Sequence, residues 1–309
     1  MAFAFLFPGQ GSQSLNMMDG FVGVAQVRET FDEAQAVLGL DLWGMLRAES
    51  PEAINATVNT QPLMLAAGVA TWRAWLAAGG ARPSVLAGHS LGEYSALVAA
   101  DALTFADALR LVRVRAEAMQ EAVPSGTGAM AAILGLPDEV IREVCLSVQQ
   151  DEVVEAVNFN SPGQVVIAGS RAAVERAMAA CKAAGAKRAL PLPVSVPSHC
   201  ALMKPAALRL KRELENVVIQ TPSIEVLHNA DVAGYRDAAQ IRDALVRQLF
   251  SPVRWTETVA RMAGDGVTLM AECGPGKVLA GLAKRIDANV KCLALTDAQA
   301  LNSALTELV

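Results

Sequence analysis

A surplus of positive charge is the first thing missing from this sequence: across 309 residues, 26 Lys and Arg face 31 Asp and Glu, a net charge of −5. A polyanionic backbone is held by clustered cations, so nucleic-acid binding is not expected. Charged residues make up only 18% and aromatics 5%, against 53% hydrophobic residues. That balance excludes a disordered chain and suits Ala-rich helices packed around a sheet better than an all-β sandwich. Cys145, Cys181, Cys200, Cys273 and Cys292 are odd in number, scattered, and nowhere spaced C-x-x-C. Neither a metal site nor a disulfide framework is expected, and a reducing compartment fits. No apolar run is long enough to cross a membrane, and Phe3 to Phe7 lacks the basic lead of a signal peptide before Pro8 stops it. A cytoplasmic protein with no membrane partner is the expectation.

What is present is an alternation of short apolar runs with helical stretches. Phe3 to Phe7 reads as a buried strand entering the turn Pro8-Gly9-Gln10-Gly11-Ser12. That turn is no nucleotide loop, because no Lys follows its last Gly and Ser14 stands where a dinucleotide fingerprint needs a third glycine. A helix from Leu65 to Ala78 leads through Gly79-Gly80 and Pro83 into a strand at Val85 to Ala87. The turn Gly88-His89-Ser90-Leu91-Gly92 and a helix from Glu93 to Ala100 follow. From Ala129 the order is strand (129–134), helix (138–148), strand (153–159), strand (164–168), a helix from an N-cap at Ser170 to a stop at Gly185, and strand (188–194). That order, β-α-β-β-α-β, is the ferredoxin-like arrangement. Turn-rich residues 124–128 before it and Pro191, Pro193 and Pro197 after it mark an inserted unit. Apolar runs at 224–227, 267–270 and 290–295 then alternate with helices, as a parallel sheet requires. The expected fold is α/β, with a large subdomain over residues 1–126 and 196–309 and a ferredoxin-like small subdomain over 127–195.

G-x-S-x-G between a strand and a helix is a nucleophile elbow: the glycines permit a sharp turn that exposes the Ser90 hydroxyl. A nucleophilic Ser needs a base, and the chain has three histidines. His89 adjoins Ser90 across the turn and suits a pocket wall, and His228 suits a strand end. His199, beyond the insertion, is placed to return over the sheet; position favours it while the other two stay open. Cys200 beside it reads as packing. On the helix that follows the elbow, Arg110, Arg113, Glu117, Gln120 and Glu121 gather on one side, and Leu111, Val112, Val114, Ala116, Ala118 and Met119 on the other. Arg115 falls in the middle of the apolar arc. An inward guanidinium must meet an anion, either in an internal salt bridge or as a bidentate clamp on a substrate carboxylate. The backbone N–H of Gln10, in the turn after the first strand, could join that of Leu91 in an oxyanion hole. Gly274-Pro275-Gly276 and residues 158–163 read as structural turns.

These segments together resemble the malonyl-CoA:acyl carrier protein transacylases of bacterial fatty acid synthesis. The matching stretches are FPGQGSQ at the start, TQPLML from Thr60, GHSLGEYSALVAA from Gly88 and RAEAMQEAVPSGTGAMAAILG from Arg115. They continue with NFNSPGQVVIAG from Asn158, PVSVPSHCALMKPAA from Pro193 and ECGPGKVLAGLAKRI from Glu272, essentially end to end. The resemblance implies an α/β-hydrolase-like large subdomain carrying the ferredoxin-like insertion, with the site between them. It implies ping-pong transfer from malonyl-CoA to the phosphopantetheine thiol of acyl carrier protein, through a malonyl group on Ser90, with no cofactor. It implies that His199 is the base, that Gln10 and Leu91 form the oxyanion hole, that Arg115 grips the malonyl carboxylate, and that Gln61 and Met119 line the substrate pocket. It also implies that the backbone carbonyl of Gln248 takes the place of the acid that orients the histidine, although chain order leaves Asp101, Asp107, Asp138 and Asp151 as formal alternatives. Ser198 stands where polyketide relatives often carry a bulky aromatic, and the choice between malonyl and methylmalonyl stays open. Carrier proteins are acidic, so a local basic patch is expected, with Arg188, Lys284 and Arg285 as candidates, on a monomeric enzyme. The rivals are a serine hydrolase or thioesterase, a non-catalytic carrier-binding module, and an acyltransferase serving a polyketide pathway.

Overall fold

The computed structural model describes residues 2–308 except Ser125 and Ser195. Among the described residues ten strands form two sheets. β1 (Phe3–Phe7), β2 (Val85–Gly88), β7 (Glu225–His228), β8 (Ala233–Gly234), β9 (Leu269–Glu272) and β10 (Lys291–Ala294) make the first. β3 (Gly128–Leu134), β4 (Val154–Ser161), β5 (Gln164–Ser170) and β6 (Arg188–Pro191) make the second.

The large sheet runs β10-β9-β1-β2-β7-β8, parallel except for β8. β1 lies between β2 and β9, so both its edges are paired, and all five of its residues are buried, as in a strand covered on both faces. Phe5 meets Trp72 and Trp75 edge-on, with ring centroids 5.6 and 5.2 Å away. Those rings belong to the helix Thr57–Ala77, which is buried along most of its length despite Pro62. The ring of Pro62 removes the donor that would have reached the Val58 carbonyl, four residues earlier. Arg113 Nη1 donates to that carbonyl instead, at 3.0 Å. The repair joins the helix Thr57–Ala77 to the helix Phe105–Ala122, and so brings Gln61 beside Arg115.

The small sheet is antiparallel, in the order β4-β5-β3-β6, with the helices Asp138–Val148 and Arg171–Ala183 between its strands in sequence. This is the ferredoxin-like order. The helices pack on one face, Ile141 and Val174 over Ile133 and Ile167, while Met130, Val157, Val166 and Ala168 on the other face meet Cys200. β6 ends at Pro191, short of the expected Val194, because Pro191 and Pro193 have no N–H to give to a ladder. The Ser170 side chain makes no capping bond, although Ser170 does stand at the N-cap position. The expected end of the insertion at residue 195 falls on Ser195, outside the described residues.

The sheets meet along β4. Phe159 N donates to the Val253 carbonyl at 3.0 Å and Val253 N to the Val157 carbonyl at 2.8 Å, a backbone bridge between the small sheet and the chain just before the helix Trp255–Gly264.

Candidate active site

β2 ends at Gly88 and the helix Gly92–Ala99 begins four residues later, so the chain reverses over His89, Ser90 and Leu91. A Cβ on Gly88 would stand 1.9 Å from the Gly92 carbonyl carbon, so only glycine permits that approach. Ser90 itself has φ +51°, in the left-handed region that side chains avoid. The loop after β1 packs against this turn because Gly9 has no Cβ; one there would lie 2.4 Å from the His89 carbonyl oxygen. That contact brings Gln10 and Leu91 to the wall of one cavity.

Ser90 Oγ lies 2.7 Å from His199 Nε2, and His199 Nδ1 lies 2.7 Å from the Gln248 carbonyl oxygen. A carbonyl only accepts, so the proton of the neutral ring sits on Nδ1 and Nε2 is left to accept from Ser90. His199 is 2% exposed with φ +67°, held by its own N–H on the Leu249 carbonyl at 3.0 Å. Burial, with the positive charge of Arg115 adding to it, pushes its pKa down to about 3, against a smaller upward pull from the Gln248 carbonyl. Asp101 is engaged elsewhere, with Arg82 and Ser223, and Asp107 with Thr104 and Arg110.

Arg115 is 2% exposed and stands over the pocket. Its Nη1 donates to Gln61 Oε1 at 2.8 Å, and its Nη2 to Gln248 Oε1 at 3.1 Å and to Ser90 Oγ at 3.4 Å. Gln61 Nε2 faces Met119 Sδ at 3.5 Å. Burial lowers the Arg115 pKa, and the neighbouring Tyr94 and Glu93 oppose that fall. No side-chain carboxylate is within salt-bridge reach of Arg115 among the described residues, so its in-plane contacts are neutral oxygens. The guanidinium therefore keeps a net attraction for an anion entering the cavity.

Ser90, His199, Gln10, Leu91, Arg115 and Met119 line this one cavity, with Gln61 and Gln248 behind Arg115. Met130, Leu192, Val194 and Val196 close it with apolar surface, and Ser198 adds a small polar wall. His89 also lines it, with Nε2 2.8 Å from Asn160 Oδ1 and its ring 5.3 Å from that of Trp255. Burial lowers the His89 pKa. His228 is the last residue of β7, and its Nδ1 meets Glu93 Oε1 at 2.7 Å. Arg188, Lys284 and Arg285 lie outside the cavity on the exposed surface. Arg285 Nη1 donates to Gln164 Oε1 at 2.7 Å, and Gln164 and Arg188 both sit opposite Leu134 in the small sheet. That register places Arg188 and Arg285 at the same end of the small sheet.

Three polar residues of the site were not singled out by the sequence, although Glu93 and Asn160 lie in stretches that carry the resemblance. Asn229 Oδ1 accepts from Ser90 N and its Nδ2 donates to the Gly88 carbonyl, both at 2.6 Å. Glu93, 0% exposed, accepts from Asn229 N at 2.9 Å and from Gln248 Nε2 at 3.0 Å. Asn160 comes from β4 of the small sheet. Asn229 follows His228 directly, and the only available hint was a polar pair at the end of an apolar run. Among the described residues no His, Cys, Asp or Glu cluster could hold a metal ion, and no helix is long and apolar enough to cross a membrane.

Residues 4–294 match the acyl transferase domain family. The chain is 57% identical over 306 residues to the malonyl CoA-acyl carrier protein transacylase of Salmonella typhimurium, covering 99% of each. The crystal structure of an acyl-carrier-protein S-malonyltransferase from Burkholderia pseudomallei superimposes with a TM-score of 0.97 at 56% identity, covering 99% of this chain and 100% of that one. A malonyl-transacylase solved in complex with its holo type II polyketide acyl carrier protein has a TM-score of 0.97 at 54% identity, with 99% and 100% covered.

Proposed function

The chain belongs to the acyl transferase domain family, among the malonyl-CoA:acyl carrier protein transacylases, and on that premise we propose that it moves malonyl from coenzyme A to acyl carrier protein through Ser90. His199 Nε2 takes the Ser90 proton as Oγ attacks the thioester carbonyl of malonyl-CoA. The tetrahedral oxyanion points to the backbone N–H groups of Gln10 and Leu91. Its collapse expels the coenzyme A thiolate, which receives the proton from His199. Phosphopantetheine then enters and the same steps run in reverse, its thiol giving its proton to His199 and its sulfur taking the malonyl group. Gln248 holds the imidazole through its carbonyl, and Gln61 and Met119 shape the pocket.

The observation that carries this reading is Arg115: a guanidinium sunk in the cavity wall, 3.4 Å from the Ser90 hydroxyl. It suits an acyl group ending in a carboxylate, and that carboxylate has a further effect. The positive charge of Arg115 is one cause of the depressed His199 basicity. A malonyl carboxylate on Arg115 offsets that charge and makes His199 a better base when the correct donor is bound.

The partner is acyl carrier protein. Arg188, Lys284 and Arg285 form the patch it meets, and alanine substitutions there should slow carrier-protein turnover more than coenzyme A exchange; equal loss for both acceptors rejects the patch. We place the enzyme in the cytoplasm as a monomer without metal or resident cofactor. Residues 127–195 are the inserted unit and the rest the hydrolase-like unit.

The test is intact-mass analysis after brief mixing with malonyl-CoA, comparing wild type with Ser90→Ala. A malonyl adduct that needs Ser90 and disappears on adding holo acyl carrier protein is the expected result. Rapid release of free malonate without an adduct would make the protein a hydrolase, and neither adduct nor turnover would make it a binding module.

A further inference from the structure

Behind the reacting atoms lies a buried polar cluster built by residues far apart in the sequence. Glu93 is its centre. Its Oε2 accepts from Asn229 N at 2.9 Å and from Gln248 Nε2 at 3.0 Å, and its Oε1 meets His228 Nδ1 at 2.7 Å. Glu93, His228 and Gln248 are each 0% exposed and Asn229 is 1%.

The Gln248 side chain shows what the carboxylate does. A primary amide has one end that donates and one that accepts, and reversing it costs nothing unless the neighbours choose. Here they choose. Nε2 faces two oxygens, Glu93 Oε2 at 3.0 Å and the Ser90 carbonyl at 2.9 Å. Oε1 faces a group that can only donate, Arg115 Nη2, at 3.1 Å. Glu93 Oε2 already accepts from the Asn229 N–H, so it meets Gln248 as an acceptor and admits one amide orientation only. We propose that Glu93 is a positioning residue that fixes the polarity of the Gln248 amide, so that Oε1 always faces Arg115 and holds the guanidinium where a substrate carboxylate meets it.

The inference rests on the reading of Arg115 as the carboxylate anchor. Gln61 Oε1 takes Nη1 at 2.8 Å and Gln248 Oε1 takes Nη2, so two amide oxygens hold the two terminal nitrogens of the fork. A reversed Gln248 would turn an NH2 group on Nη2, donor against donor at a buried contact, and the guanidinium would move. Glu93 also opposes, through its charge, the loss of basicity that burial imposes on Arg115. The carboxylate thus acts on acyl-group choice without touching the acyl group.

Glu93→Gln tests this because it keeps the size of the side chain while replacing an acceptor-only group with an amide that can also present a donor to Gln248. We expect the ratio of malonyl to acetyl acylation of Ser90, each measured as kcat/KM, to fall by about tenfold, the scale of one charge-assisted hydrogen bond. Gln248→Met keeps the backbone carbonyl for His199 and removes the amide; it should lower the same ratio by a similar factor. Combining the two should lower it no further, since both act through one amide. Losses on the Ser90 carbonyl side affect both donors alike and cancel in the ratio. Equal loss of malonyl and acetyl acylation in Glu93→Gln overturns the proposal, and so does a double variant whose ratio falls by the product of the single effects. Should thermal melting show that Glu93→Gln does not fold, Gln248→Met decides: a fallen ratio supports the proposal and an unmoved ratio overturns it. A wild type that forms no Ser90-dependent malonyl adduct refutes malonyl transfer itself. An adduct whose ratio neither variant moves refutes only the role of Glu93.

Discussion

His199 and Arg115 oppose each other across the Ser90 hydroxyl, and their balance sets the chemistry at the scale of single residues. With its pKa pushed down to about 3, His199 keeps a neutral imidazole through the ordinary histidine range. Malonylation of Ser90 should therefore show no fall in kcat/KM as pH drops through the ordinary histidine value of about 6.5. Stopped-flow acylation over a pH series checks this, and a break near the ordinary value would mean that His199 is not depressed. Arg115→Ala should lower malonyl transfer by about 2 to 5 kcal/mol, the range for truncating one partner of a buried charge pair. Removing its charge also lets the His199 pKa rise, so acetyl transfer should fall far less. A malonyl-to-acetyl preference that survives the substitution would remove Arg115 from its assigned role. The sequence exposed these two residues for different reasons. Arg115 is a local anomaly on a helix whose apolar arc the 3.6-residue repeat defines, whereas His199 was one of only three candidates. Gln248 could not be read this way, because its contribution to His199 is a carbonyl that every residue possesses.

The elbow is the element on which the site depends, and its geometry is written in glycines. Gly88→Ala would drive a Cβ to 1.9 Å from the Gly92 carbonyl carbon, so β2 and the helix Gly92–Ala99 would have to part. Backbone on both sides leaves no flexible side chain to yield, and a loss of several kcal/mol is expected. Gly264→Ala is the matched control. It closes the helix Trp255–Gly264, where an added Cβ has nothing within 4 Å, and should be neutral or stabilising by about 0.5 to 1 kcal/mol. Denaturant titration of both variants makes the comparison; equal stabilities would show that the turn relaxes more easily than its close contacts allow. Elements of this kind were legible because strand, turn and helix are adjacent in sequence. The Arg113 repair at Pro62 was not, since it spans 55 residues, and neither was the Asn229 clamp on Ser90, which spans 139. Such contacts exist only once the sheet has ordered its strands.

Two buried groups give the whole molecule opposite responses to pH. Between about 6.5 and about 3, the unfolded chain binds a proton at His199 that the folded protein refuses, so this group lowers stability as pH falls. Glu272 behaves in reverse. It ends β9 with Oε2 on Ala280 N at 2.8 Å, and burial raises its pKa to about 7 against the pull of the backbone N–H groups of residues 278–280. Between the ordinary carboxylate value and about 7 the folded protein keeps a proton that the unfolded chain has released, so this group lowers stability as pH rises. The two slopes, each about 1.4 kcal/mol per pH unit, largely cancel over the range they share. Relative to the wild type, urea unfolding at about pH 5 and about pH 8 should therefore show the two variants tilted in opposite directions, the His89 imidazole, whose pKa burial also lowers, being common to all three. Glu272→Gln leaves the His199 slope alone and should be more stable at the higher pH than at the lower by about 2 kcal/mol; His199→Gln should show the reverse by a similar amount. The comparison is within each variant, so any constant penalty of the substitution drops out. It requires that the molecule unfold as one unit, and the backbone bridge from β4 to Val253 and the His89–Asn160 bond tie the small sheet directly to the site. Two separate transitions would break that premise, and two variants with the pH dependence of the wild type would show that neither group titrates differently in the folded protein.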